Sequence, residues 1–585
     1  MPKSAFEVHC QDGMKRFVQT ALVIDNEANL GPVGSPNEDE TPRRATRVQG
    51  GILGTGEARA DDSGYMSGSD PSQTNGEDTS HTLNAKLLTD AFLTQSVICG
   101  LYKPSPSEEM VRMSTDAALH ADLVVIDWYL DDSKNSVKAK EIIANILKDD
   151  LRQRGRLRLI AVYTSQPRRL GIAAEVFDYL SKVSELTSRF SLSPDGYSIM
   201  SADTRICFLN KPQTIGPDIE IVSEADLPAR LIEEFATLTS GILPTFALNS
   251  LASVRRAAHH IVAVFSKHLD GAFLSHRCVL PHPEDANEFA FDLIADQLRT
   301  IISVDLYTGA SISAEVLETW VDDEQTRGHL FTDHIEAVAP PDLVKQFIRH
   351  GGNRVDKPEG QHVKGDPNRT ISRKKAINKV TLPRIFYSGY LEAWNRSKQF
   401  ARLVTLKREA NGFTVFPSEW RPILSLGSVL KVLPQGLDYE ETPQDAIDAP
   451  YLFCVQPRCD SVRLKVKTGF PFQSVTASTK SGFNIVIRDD DEFGNELMIE
   501  LKPRDTRMIS FVPDPSTETV RGEWNAELKG YVFTDVHYRK FLWLGDVKDL
   551  KAQGDASQLA ARVHSVGIDD FEWLRMASDG DVQWP

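Results

Sequence analysis

The sequence predicts a multi-domain chain that runs α/β, then α, then β. Three observations carry that expectation. The first 240 residues alternate five short apolar runs with helical patterns. Residues 241–335 place apolar side chains at helical spacing, and from 412 onward Val-, Phe- and Ile-rich runs recur at short intervals. At roughly 100–200 residues per domain, 585 residues leave room for three or four domains.

Composition narrows the class. With 41% hydrophobic and 25% charged residues the chain is an ordinary folded protein, which excludes wholesale disorder and a fibrous chain. Lys+Arg number 66 and Asp+Glu 82, so the net charge of −16 argues against attachment to nucleic acid by bulk charge. No stretch approaches the roughly 20 apolar residues of a membrane helix. The start, Met1-Pro2-Lys3-Ser4-Ala5-Phe6, has no apolar core for a secretion signal. The cysteines (Cys10, Cys99, Cys207, Cys278, Cys454 and Cys459) are scattered, with no disulfide framework and no CxxC pair. A cytoplasmic location is therefore expected.

Taken in order, the first domain is expected over 1–240. Its apolar runs lie at 17–24, 96–102, 121–126, 157–163 and 205–209. Helical periodicity fits 83–95, 107–119, 135–153, 171–188 and 224–240. Five strands separated by helices imply a doubly wound, parallel five-stranded sheet. Residues 31–80 interrupt it with 9 glycines and 9 acidic residues against 4 Arg, too little apolar surface to offset ordering entropy. They are expected to be a disordered insertion. The glycine-rich 50–56 stretch within it lacks a following Lys-Ser/Thr, so it reads as linker rather than phosphate loop.

A helical region is expected over 241–410. Leu251, Val254, Ala258, Ile261, Val262 and Phe265 recur at helical spacing, as do Phe289, Phe291, Ile294, Leu298, Ile301 and Ile302. His260 and His268 are eight apart and can share a face, but no Glu-x-x-His spacing accompanies them or His259 and His276, so ordinary histidines are favoured. Segment 349–384 carries 10 Lys/Arg against 3 acids; no aromatic platform interleaves them, which favours a solvated linker over a nucleic-acid surface. A helix is expected near 386–408.

The third domain, 411–585, is expected to be a β-rich barrel or sandwich. Its strands fall at 413–416, 428–432, 451–456, 462–466, 484–488, 497–501 and 508–512, with a closing helix near 555–563. The run from Cys454 to Arg463 gathers Cys454, Cys459, Asp460 and Arg463. Two cysteines without further His or Cys make a poor zinc site, so a strand–turn–strand with an Asp/Arg pair is favoured.

Chemistry should be sought at the carboxyl ends of the parallel strands, where doubly wound sheets collect polar groups. The first strand ends Val23-Ile24-Asp25-Asn26-Glu27, and the third Val125-Ile126-Asp127-Trp128-Tyr129. The fourth ends Val162-Tyr163-Thr164-Ser165, and the fifth Phe208-Leu209-Asn210-Lys211-Pro212. One rim thus receives two acids, a hydroxyl and a lysine. Two carboxylates on neighbouring strands can hold a hard cation such as Mg²⁺. A metal beside Asp127 would screen it from an incoming phosphoryl group and make it a usable nucleophile.

These residues and their order resemble the receiver domain of two-component response regulators, a flavodoxin-like fold, over about 1–240. The resemblance implies Asp127 as phosphoacceptor, Mg²⁺ held by Asp25, Asn26, Asp127 and the Tyr129 carbonyl, and Thr164 as switch hydroxyl. It further implies Lys211 as the phosphate-contacting lysine, Pro212 as a cis proline and Phe208 as the aromatic switch residue. There are departures. Asn26 is a neutral second member of the acidic pair, Tyr129-Leu130-Asp131-Asp132 replaces the usual Pro and Gly of the loop, and the long insertion is atypical. Those departures, with the "CxQPxCDSVR" run near the C-terminus, resemble a divergent receiver group of bacterial anti-phage systems, which pairs with histidine kinases or GHKL-type ATPases.

The resulting expectation is a regulatory protein, more accepting substrate than enzyme, that takes a phosphoryl group on Asp127. Two alternatives stand beside it: a receiver that has lost phosphotransfer and serves as a scaffold, and an effector whose C-terminal module binds nucleic acid or is catalytic.

Overall fold

The structure, a computed structural model, describes residues 3–29, 83–104, 109–131, 135–153, 155–212 and 214–323. Beyond these it describes 341–351, 361–363, 366–371, 386–387, 390–406, 409–410, 413–414, 420–434, 450–478, 485–488 and 496–565. The insertion expected at 31–80 lies outside the described residues, as does most of the basic segment 349–384. The chain forms two compact units, Met1–Trp320 and Val321–Pro585, so the expected 241–410 region is divided between them.

The first unit opens with a helix that apolar periodicity does not announce, α1 (Ala5–Phe17). A capping box starts it. Ser4 Oγ accepts from the Glu7 amide, and the Glu7 carboxylate accepts from the Ser4 amide, both at 3.0 Å. There follow β1 (Thr20–Ile24), α2 (Ala85–Thr94), β2 (Ile98–Tyr102), α3 (Met110–Ala118), β3 (Leu123–Ile126), α4 (Val137–Arg152), β4 (Arg158–Thr164) and α5 (Arg169–Ser181). Next come β5 (Ser191–Leu192), β6 (Ser198–Met200), β7 (Thr204–Asn210) and α6 (Leu227–Leu238). The sheet order is β2-β1-β3-β4-β7-β6-β5. Its first five strands are parallel in the flavodoxin-like order, and the antiparallel β6 and β5 extend the far edge, an addition the sequence pattern does not indicate.

Every residue of β3 and β4 is buried, which is why both read as unbroken apolar runs. Ile126, Val162 and Phe208 belong to the apolar layer shared with α3, α4 and α5. Val23, Val125 and Leu209 belong to the opposite layer, shared with α2 and α6. Ala28–Asn29 pairs in parallel with Leu83–Asn84, so these two segments, distant in sequence, lie side by side.

Five helices complete this part of the chain: α7 (Ile242–Val264), α8 (Asp270–Val279), α9 (Asp285–Val304), α10 (Leu306–Ala310) and α11 (Ala314–Asp322). Helix α7 packs on α1 closely enough that a Cβ on Gly13 would sit 2.7 Å from Thr245 Cγ2, so glycine is required there. Arg16 Nη1 donates to Asn249 Oδ1 at 3.1 Å across the same contact. His260 and His268 do not share a helix: α7 ends at Val264, and His268 lies in the Lys267–Leu269 turn.

The second unit contains α12 (Pro341–His350), α13 (Tyr390–Ala401), β8 (Ser428–Val432), β9 (Tyr451–Cys454), β10 (Thr468–Ala477), β11 (Ile485–Arg488) and β12 (Glu496–Phe511). It continues with β13 (Glu523–Asn525), β14 (Gly530–Thr534), β15 (Lys540–Val547) and α14 (Asp549–Ser565). The strands form an antiparallel sheet ordered β11-β12-β10-β9-β8-β15-β14-β13, with Thr405–Leu406 added against β15. The sheet curls into a half-barrel. Thr405 pairs with Val547 of β15 while its Oγ1 donates to the Val486 carbonyl of β11 at 2.8 Å.

Residues 462–466 do not form the expected strand. Arg463 adopts a left-handed φ of 60°, which breaks an extended run, and the Leu464 amide donates to Glu518. The partner of β9 is β10 instead, a strand that Gly469 and Pro471 disguise in the sequence. Cys454 is buried in β9, whereas Cys459 is exposed on the Arg458–Ser461 turn, where Arg458 pairs with Asp549. All six cysteines are free.

Candidate functional site

Asp25, Asp127 and Lys211 each lie one position beyond a parallel strand, Thr164 is the last residue of its strand, and the ladder hydrogen bonds continue that far. The Asp25 amide donates to Tyr102 O at 3.1 Å, the Asp127 amide to Ile24 O at 2.9 Å and the Lys211 amide to Thr164 O at 3.0 Å. Backbone pairing therefore fixes these residues before any side chain acts. Strand alternation does the rest. Asp25 and Asp127 each sit two residues beyond Val23 and Val125, so both carboxylates start from the same face of the sheet.

The side chains meet. Lys211 Nζ lies 2.8 Å from Asp25 Oδ2 and 3.0 Å from Asp127 Oδ2, with all three residues at most 7% exposed. The remaining carboxylate oxygens accept backbone N–H groups: Asp25 Oδ1 from Glu27 at 2.8 Å and Asp127 Oδ1 from Trp128 at 2.7 Å. Two buried carboxylates thus share one ammonium. Burial pushes the Asp127 carboxyl up to about 7; Lys211 opposes the shift, and the Asp25 charge adds to it. Burial works against the Lys211 ammonium, but the Asp127 and Asp25 carboxylates outweigh it and hold its pKa above the usual lysine range.

The rim fits a hard cation in part. Asn26 Oδ1 is buried and has no hydrogen-bond partner, an orphan oxygen next to Asp25 in sequence. Neutral amide and carbonyl oxygens beside two carboxylates suit Mg²⁺, which takes few protein ligands. Asp25, Asp127, Asn26 Oδ1 and the Tyr129 carbonyl would hold it. Among the described residues no cluster of three or more His, Cys, Asp or Glu has metal-binding geometry, so the acidic share is a pair.

Thr164 ends β4 opposite Asn210 of β7, and is 2% exposed. Its Oγ1 accepts from the Gln166 amide at 3.2 Å. Phe208 is buried in the apolar layer, two residues before Asn210 on the same strand face. Lys211–Pro212 is trans, contrary to expectation, since no peptide bond among the described residues is cis. The Lys211 carbonyl instead closes a turn, accepting from Thr214 N at 3.1 Å and Thr214 Oγ1 at 2.8 Å.

Asn210 is the residue that sequence reasoning missed. Fully buried, it donates Nδ2 to Gln166 O at 2.7 Å and accepts the Glu220 amide on Oδ1 at 2.8 Å. It therefore ties the loop after Thr164 to the segment after Lys211. An Asn directly before the strand-end lysine was its one visible signal.

Residues 17–215 match the family described as the response receiver domain. No curated protein and no solved structure matches the chain significantly. The parallel sheet of the first unit is thus a divergent response-regulator receiver domain, the class that serves phosphorelay signalling. No helix among the described residues is long and apolar enough to cross a membrane.

Proposed function

We propose that Asp127 accepts a phosphoryl group and that the receiver relays the change to the rest of the chain. The observation that carries this reading is the Asp25–Lys211–Asp127 network, which leaves a buried nucleophilic carboxylate short of positive charge. A histidine kinase or GHKL-type ATPase would be the donor. One Asp127 oxygen attacks phosphorus, the bond from phosphorus to the donor's imidazole nitrogen breaks, and its electron pair leaves with the imidazole. Bound Mg²⁺ supplies charge that offsets the phosphoryl oxygens. Lys211 then exchanges its contact with Asp127 Oδ2 for a phosphoryl oxygen. Thr164 Oγ1, released from the Gln166 amide, donates to another. Phe208, packed in the apolar layer below Thr164's strand end, is the residue positioned to respond when Thr164 moves.

Incubation with acetyl phosphate and Mg²⁺ tests the proposal. One hydroxylamine-labile phosphoryl group per chain is expected, Asp127→Asn should take up none, and Asn26→Asp should raise the rate by adding a third carboxylate ligand. A second reading follows from Asn26, whose neutral oxygen weakens the metal site: a scaffold in an anti-phage assembly. Wild-type protein that binds its kinase partner but takes up no phosphoryl group would establish that reading and remove the catalytic role of Asp127.

A further inference from the structure

A helical arm stands out from the first unit. Between residues 257 and 300, which span the end of α7, all of α8 and most of α9, Ala286 is the sole fully buried residue. Its base is well fixed: Asn249 Nδ2 donates to Ser311 Oγ at 2.6 Å, and Arg256 reaches Asp305 at 3.0 Å. Beyond the base the apolar pattern points into solvent. Ten large apolar side chains from Val262 to Leu293 are exposed, and Val262, Leu274, Val279, Phe289 and Phe291 expose more than half their surface. Helices in water owe most of their stability to packing of an apolar face, and this arm has almost none of its own.

We propose that a second copy of this chain covers the arm, the two arms forming a two-fold helical bundle. Area supports a partner of that size. Ten side chains of roughly 150–200 Å² each, about half exposed, offer on the order of 800 Å² in all. They spread over more than one side of α7 and α9, because Val262 and Val264, like Phe289 and Phe291, lie two positions apart, so a bundle rather than a single added helix is needed to cover them. Charge supports a second copy. From 255 to 268 the arm has no acid: Arg255 and Arg256 pair with Asp122 and Asp305 at its base, which leaves Lys267 and three histidines toward its tip. From 284 to 296 it carries Glu284, Asp285, Glu288, Asp292 and Asp296 with no Lys or Arg. Among the described residues Lys267, Glu288, Asp292 and Asp296 form no ion pair. A two-fold axis sets the basic stretch of each copy on the acidic stretch of the other, so one surface complements itself twice.

Sedimentation of the full chain over a wide concentration range tests this. Wild-type protein should sediment at twice its chain mass. Val262→Asp with Phe291→Asp should raise the dimer dissociation constant at least about 100-fold without changing helical content, since both side chains are exposed. Glu288→Lys with Asp292→Lys should weaken the dimer, and mixing that variant with a His260→Glu, Lys267→Glu variant should restore association as a heterodimer. A wild-type monomer at every concentration overturns the proposal. So does a dimer that the Asp substitutions leave intact, or a monomer whose arm resists protease, which would place the chain's own second unit on the arm. Arm-dependent binding to anionic vesicles without dimerisation overturns it as well.

Discussion

The two ends of strand β4 bury charge in opposite ways. At its amino end Arg158, fully buried, grips Asp150 through two bonds, Nε to Oδ2 at 2.6 Å and Nη2 to Oδ1 at 2.7 Å. Its Nη1 donates to the Ala118 and Ala121 carbonyls at 2.7 and 2.9 Å. One positive and one negative charge cancel, and most donors are used. At the carboxyl end, beside Thr164, two carboxylates share the single Lys211 ammonium. The first arrangement is a clamp that joins α3, α4 and β4. The second is short of one positive charge, which an incoming cation can supply. Saturation marks structure here, and deficit marks the site.

Removing the cation at each end sharpens the contrast. Arg158→Met leaves the Asp150 carboxylate buried and unpaired, with an expected loss of about 3–5 kcal/mol. Lys211→Met should cost about as much in metal-free buffer, since two buried carboxylates then face each other. Millimolar Mg²⁺ should recover part of the second loss and none of the first, because binding to the folded site alone stabilises it. Urea titrations with and without Mg²⁺ measure both. Equal insensitivity to Mg²⁺ would remove the cation-deficit account of the rim.

Changing the acid instead should produce effects of opposite sign. Asp150→Asn breaks a bidentate pair and should destabilise by about 3 kcal/mol. Asp127→Asn relieves a surplus negative charge and should stabilise by about 1–2 kcal/mol at neutral pH. The sign with pH follows from burial. Asp127 holds its proton up to about pH 7 in the folded state, against 3.8 for an ordinary Asp. The folded chain therefore binds more protons across that window, and this group makes stability fall as pH rises from about 4 to about 7. Thermal melts of Asp127→Asn should lose that downward slope. An unchanged slope would mean Asp127 is ionised throughout.

Much of the first unit was legible because strands buried on both faces leave continuous apolar runs, as in Leu123–Ile126. The rim was legible for a related reason: a doubly wound sheet sends its strand ends to one edge, so Asp25, Asp127, Thr164 and Lys211 could be gathered from topology. Other features left weaker traces. Helix α1 is announced by its Ser4/Glu7 cap rather than by periodicity. Strand β12 runs through the polar Arg504-Asp505-Thr506-Arg507, which breaks alternation, so 497–501 and 508–512 read as separate strands. The apolar spacing of Val262, Phe265, Phe289 and Phe291 predicted helices correctly, but periodicity cannot tell a face turned to the core from one turned to solvent.

A third buried acid gives the smallest expected effect and the finest test of the comparison. Among the described residues no cation touches Asp546 in β15, and Arg458 acts on it only from a distance. Ser428 Oγ and Trp543 Nε1 both donate to its Oδ1, at 2.8 and 2.9 Å. Burial raises its pKa, and these two donors pull it back down. It occupies the middle ground between the Arg158 clamp and the Lys211 rim: neutral donors, no counter-ion. Ser428→Ala removes one donor to a charged acceptor and should cost about 1–2 kcal/mol. The loss should be greatest at neutral pH and shrink as acid protonates the carboxyl, because the lost bond chiefly stabilises the ionised form. Asp546→Asn keeps an oxygen acceptor for both donors and removes the buried charge, so it should cost less than Ser428→Ala at neutral pH. Chemical denaturation of the β unit at two pH values measures the difference. If Ser428→Ala is pH-independent, Asp546 is protonated in the folded chain, and burial without a counter-ion has been enough to discharge it.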